Sequence, residues 1–201
     1  MKKITQFKKS FFKTILVAST LFGASCSNNQ KPEEIQIVTN ENSEINMDST
    51  NTKKEAQFLA KAAEINLEEI QLGQMAQQNS TRTDVKELGK MMEEEHTKCL
   101  NGLKVLANNK SITIPASLSD KAQNACKTLS NKSGADFDLT YCDMMVNGHR
   151  DAIAMFDKVS TESTDADIKE WAAATLPDLH RHLDHSISCQ SKCKKITHSI
   201  Y

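Results

Sequence analysis

The chain has 201 residues, 25 basic and 26 acidic, for a net charge of −1. The balance is uneven: the first 25 residues carry Lys2, Lys3, Lys8, Lys9 and Lys13 and no acid, and setting those five aside leaves 20 basic against 26 acidic groups, a net of −6. An acidic remainder lacks the basic face through which a protein displaces counterions from phosphates, so no nucleic acid is expected among its partners.

The lysine-rich start is followed by an apolar run from Thr14 to Phe22 and by Gly23-Ala24-Ser25, directly before Cys26. Residues 1–25 have the layout of a signal peptide, and so short a run cannot serve as a bilayer-spanning anchor. Cys26 stands where a bacterial lipoprotein signal places its lipid acceptor, although Gly23 occupies a position where a branched aliphatic is usual. The alternative is ordinary cleavage that leaves Cys26 as a thiol or in a disulfide. The expected address is the bacterial cell envelope, at the outer membrane or periplasmic face, with the membrane engaged through a lipid anchor. From Cys26 to Thr52 the chain is polar, rich in Asn, Glu, Ser and Thr, and reads as a flexible tether.

Residues 53–193 form the expected folded domain, and residues 194–201 a C-terminal tail. The domain reads as helical throughout: the 3-4 apolar spacing recurs and strand-like alternation does not. A first helix over about 53–78 carries Phe58, Ala62, Ile65, Glu69, Leu72 and Ala76 on one face. A second, over about 83–108 with Ser80 and Thr81 as cap candidates, carries Val85, Leu88, Met92, His96, Cys99, Leu103 and Leu106. A shorter helix over 118–129 ends before Ser133-Gly134. The next long helix, about 136–160, lines up Phe137, Tyr141, Met145, His149, Ala152, Phe156 and Val159. The last begins near Asp165 and aligns Ile168, Ala172, Thr175, Leu179, His182, Ser186 and Cys189. Pro177 lies inside it, where a proline removes a hydrogen bond and meets the carbonyl of Ala173, so a kink before His182 or a split into two helices is expected. The fold class is all-α: an antiparallel four-helix bundle with a short extra helix between the second and third long helices.

Glu69, His96, His149 and His182 each interrupt the apolar stripe of a different long helix. Burying an ionisable group costs several kcal/mol unless it is compensated. One carboxylate and three imidazoles converging in a core are the donor set of a transition-metal site, for Zn, Fe, Mn or Cu. Glu93, Glu95 and Tyr141 are candidates to support those ligands. Met92 and Met145, one turn from His96 and His149, would favour copper if their sulfurs turned inward. The competing reading is a satisfied polar network, His donating to Glu and Tyr141, that sets helix register and binds nothing. His180 and His198 read as surface or tail residues, and His185 as partly sharing the His182 face.

The run from Ala62-Ala63 through Glu69 to Leu72-Gly73, Met91 to His96, Phe137-Asp138 through Tyr141 to Met145-Val146 and His149, and Thr175-Leu176-Pro177 through His182-Leu183 resembles the bacterial family of domain of unknown function 4142 (DUF4142). The resemblance spans about Ala56 to Ser188. It implies a ferritin-like four-helix bundle and an exported or outer-membrane protein, without an established activity. The family's acid-His pair falls on Glu95 and His96, its other histidines on His149 and His182, and its first-helix acid on Glu69.

A ferritin-like di-iron oxidoreductase would need two Glu-x-x-His pairs. Glu93 and His96 have that spacing, but Val146 precedes His149 and Leu179 precedes His182 by the same interval. No phosphate loop, nucleophile elbow or His-Glu-x-x-His helix appears. Asp143 and Asp178 could assist proton transfer if they faced the histidines. Of the remaining cysteines, Cys126 and Cys142 flank the Gly134 break and are the expected disulfide. Cys189 and Cys193 lie one turn apart, as metal ligands do, and a tail disulfide or free thiols are the alternative.

Overall fold

The computed structural model describes residues 41–199, with side chains for residues 49–195. Five helices make up the folded part: α1 (Glu41–Asn79), α2 (Thr83–Asn109), α3 (Asp120–Ser130), α4 (Gly134–Glu162) and α5 (Ala166–Ser199). No strand occurs among the described residues. α2, α3 and α4 match the expected spans within a few residues, but α1 begins at Glu41, inside the segment expected to be a tether, and α5 continues through most of the expected tail. Pro177 is accommodated within α5, which is not split there. No helix among the described residues is long and apolar enough to cross a membrane.

The ends of the helices are set by local chemistry. The Ser119 hydroxyl accepts the backbone N–H of Ala122 and caps α3. Asp165 does the same for α5, accepting from Asp167 and Ile168. Ser80 is not the cap of α2: its hydroxyl accepts the Arg82 N–H and donates to Asp138 across the fold at 2.6 Å.

α1 pairs with α2 and α4 pairs with α5; the pairs meet through α2 with α5 and α1 with α4, and α3 rests on α1 and α4. The α1–α2 pairing is close enough to bring backbones together. A Cβ on Gly73 would come within 2.6 Å of the Gly89 carbonyl, and one on Gly89 within 2.7 Å of the Gly73 carbonyl. Glycine is required at both positions because any larger side chain must push the helices apart.

The core has two apolar ends. One holds Phe58, Leu59, Leu103, Phe156, Ile168 and Ala172. The other holds Leu72, Val85, Met92, Phe137, Tyr141 and Met145 with three cysteines. On each long helix a buried polar residue falls between those stretches: Asn66 and Glu69 on α1, His96 on α2, His149 on α4 and His182 on α5. The polar residues are thus a layer inserted between two oily ends.

The expected Cys126–Cys142 disulfide does not form. The five described cysteines are free thiols, and Cys142 lies 3.1 Å from Cys189 and 3.9 Å from Cys193, sulfur to sulfur. Nearness in sequence across Gly134 was misleading, because Cys142 is on the α4 face that packs along α5, whereas Cys126 is only half-buried on α3.

Candidate metal centre

His96, His149 and His182 are almost fully buried, each placed inward by the 3-4 spacing of its helix. Their ring centroids lie 5.5, 5.1 and 5.2 Å apart, so the three imidazoles form one compact triangle. One ring nitrogen from each lies within 4.8 Å of those of the other two.

The outer neighbour of each ring decides which nitrogen keeps its lone pair. His149 Nδ1 is 2.8 Å from the Met145 carbonyl, which can only accept, so Nδ1 carries the proton and Nε2 is bare. His96 Nδ1 is 3.1 Å from Asn66 Oδ1, and the Asn66 amide nitrogen donates to the Ala62 carbonyl at 2.8 Å, which fixes the amide with its oxygen toward the ring. His96 therefore also turns a bare Nε2 away from its acceptor. His182 Nε2 meets Glu95 Oε2 at 2.6 Å, leaving Nδ1 bare. The Glu95 carboxyl is held down to about 2, first by hydrogen bonds from Arg181 and then by His182, so it too is an acceptor.

Those three bare nitrogens have no hydrogen-bond partner among the described residues. Burial, with repulsion from the other two imidazoles, pulls His96 well below the ordinary histidine range. Burial likewise lowers His149 to about 4 and lowers His182 against the pull of Glu95. The rings are neutral near pH 7, which is the ligating form.

Glu69 is buried but stands outside the group of mutually close ligand atoms. Its Oε1 is 3.9 Å from His149 Nδ1, the ring edge already taken by the Met145 carbonyl, and this is why the expected set of four reduces to three imidazoles. Burial, reinforced by Glu68, raises the Glu69 carboxyl to about 8, so it holds its proton at neutral pH and makes no ion pair with neutral His149. Gly148 leaves room for it: a Cβ there would lie 3.1 Å from Glu69 Oε1. Tyr141 is buried with an unpartnered hydroxyl, its phenol pushed well above the usual range by burial and by Glu69.

The other expected participants are dispersed. Glu93 accepts from Gln74 and Gln77 at 2.8 and 2.6 Å, on the α1–α2 surface, so the Glu-x-x-His spacing with His96 does not place a second carboxylate at the centre. Asp143 accepts from Gln190 and Asp178 from Arg181. Met92 and Met145 are buried in the apolar end shared with Leu72 and Tyr141. His180 and His185 are exposed, while Cys26 and the His198 side chain lie outside the described residues. Asn66 and the Met145 carbonyl were missed; a buried Asn three residues before Glu69 was the available signal for the first, and a backbone group leaves none.

A cleft of about 400 Å³ reaches the triangle from solvent, lined in part by Glu95, His96, Trp171, Asp178, Arg181 and His182. No curated protein and no solved structure matches the chain. A family model described as a domain of unknown function, DUF4142, matches residues 40–188. The histidine triangle lies wholly inside that span, and the chain belongs to the DUF4142 family.

Proposed function

We propose that this chain is an exported, lipid-anchored protein of the bacterial cell envelope that binds one transition-metal ion through His96, His149 and His182. The observation that carries the metal reading is the set of three inward lone pairs without a donor: Nε2 of His96, Nε2 of His149 and Nδ1 of His182. A satisfied packing network would have paired them, and each unpaired buried polar group costs about 1–3 kcal/mol. A cation is the partner that answers three converging acceptors at once. Three imidazoles suit Zn, Cu or Fe, with a coordination position left for water or another ligand. Bonds near 2.0–2.1 Å place tetrahedral nitrogens ~3.4 Å apart, so binding would draw together nitrogens that now lie within 4.8 Å of one another.

The outer acceptors Asn66, Met145 and Glu95 would orient the ligands. Glu69 would respond to a new dication beside His149 by losing its proton, supplying a compensating negative charge. The helix pairing supports a ferritin-like antiparallel four-helix bundle, with α3 as the extra helix. Support for the address is the lysine-rich apolar start and the small residues before Cys26.

Metal analysis after loading, on the purified protein beside His96→Ala, tests the centre. One ion per wild-type chain and none in the variant is expected; equal, near-zero contents would leave the packing role alone. Incorporation of labelled fatty acid that is lost in Cys26→Ser tests the anchor.

A further inference from the structure

A second cluster of donors sits on the same two helices. Cys142 lies on α4 seven residues before His149, and Cys189 lies on α5 seven residues after His182, so each thiol stands about 10 Å along its helix from the neighbouring imidazole. Cys193 follows one turn later. All three are buried, and their sulfurs lie within 4.8 Å of one another.

A disulfide uses this arrangement poorly. Joining Cys142 to Cys189 would strand Cys193 in the core, and Cys189 with Cys193 on one helical turn is a strained pair. Three sulfurs around a common point suit an ion instead, because metal–sulfur bonds near 2.3 Å allow donors up to ~4.6 Å apart. The Cys142 separations of 3.1 and 3.9 Å fall inside that limit. We propose that Cys142, Cys189 and Cys193 form a second metal site, a three-sulfur site for one thiophilic d10 cation of the Cu(I) class.

Three soft donors, with no fourth His, Cys or carboxylate ligand among the mutually close atoms of the described residues, favour Cu(I) over zinc, whose structural sites take four. The cation displaces the thiol protons to solvent, with no change in oxidation state. A cleft of about 230 Å³ reaches Cys189 from outside past Asp84, Glu87, Met91 and His185, a route with carboxylate, thioether and imidazole donors along it. The family match ends at residue 188, so two of the three sulfurs lie beyond it and the site does not follow from family membership.

The test is anaerobic titration of the reduced, purified protein with Cu(I) buffered by the chromophoric chelator bicinchoninate. The expected result is one tightly held Cu(I) with thiolate-to-copper charge-transfer absorption. Cys142→Ser and Cys193→Ser should each weaken binding by at least tenfold. Cys193 is near the end of α5, so its variant keeps the test informative if Cys142→Ser fails to fold. Cys99→Ser should leave this binding unchanged, and the charge-transfer absorption reads the sulfur site alone, which separates its failure from failure of the imidazole centre. Copper that is not retained, or is retained equally by Cys193→Ser, would overturn the proposal. So would recovery of a Cys142–Cys189 disulfide by peptide mass mapping of protein isolated from its membrane.

Discussion

Two triangles of rings stand at different levels of the fold, sharing α4 and α5 and taking their third ring from α1 in one case and α2 in the other. Phe58, Phe156 and Trp171 pack with centroids 5.1, 5.9 and 5.4 Å apart, and the three histidines pack at nearly the same separations. The aromatic triangle is complete as it stands: two of its contacts are edge-to-face and the third is tilted, and its two buried rings, Phe58 and Phe156, carry no polar atom to satisfy. The imidazole triangle buries three ring nitrogens that have no hydrogen-bond partner among the described residues. Equal geometry therefore has opposite energetics: one level holds the helices together, and the other is tolerated because they are held. A buried cluster that weakens its own fold points to a ligand more strongly than one that strengthens it.

The comparison breaks most visibly at the oily end. Phe156→Ala should cost about 3–5 kcal/mol in urea denaturation, as large-to-small changes in a packed core do, while metal content per folded chain stays at the wild-type value. Loss of metal with fold retained would mean that the two levels are not separable.

Acidity sharpens it next. Glu69 is raised from its ordinary 4.5 to about 8, so the folded protein keeps a proton that the unfolded chain releases. That contribution to stability is full below pH 4.5 and lost as pH rises toward 8. His149 acts in reverse: lowered from 6.5 to about 4, it leaves stability intact above pH 6.5 and subtracts from it as pH falls toward 4. Between pH 6.5 and 8 Glu69 acts without that opposition, and metal-free protein should lose about 2 kcal/mol across the interval. In Glu69→Gln the loss should vanish; a slope that persists would assign it elsewhere.

The smallest effect has the most telling sign. His149→Leu removes one unpaired lone pair and leaves the Met145 carbonyl with its helical partner, so the metal-free variant should be more stable than wild type by about 1 kcal/mol. Metal should then no longer raise its denaturation midpoint. A destabilised variant would mean that the ring is held by contacts like those of Phe156.

Much of this was legible in residue spacing. The 3-4 stripes located four long helices and marked Glu69, His96, His149 and His182 as polar residues in core positions, and all four are buried. Spacing reports a face, not the side of a ring that a neighbour meets, so Glu69 could not be told apart from a ligand until its carboxyl was seen beside Nδ1 of His149. The start of α1 was hidden for another reason. Polar residues such as Ser49 and Thr50 are exposed there and have no apolar stripe to announce a helix. Cys142 was paired with the wrong partner because contacts between α4 and α5 are set by packing over the whole length of both helices, which no local pattern encodes.

Arg181 grips Glu95 and Asp178 at the mouth of the larger cleft, and the same Glu95 steadies His182. A cation bound for the proposed centre would meet a guanidinium that already occupies the acids on its path, and would have to exchange with it to get past. Dissolved salt loosens that grip, so the speed of such uptake, unlike the final occupancy, would become a property of the surrounding medium.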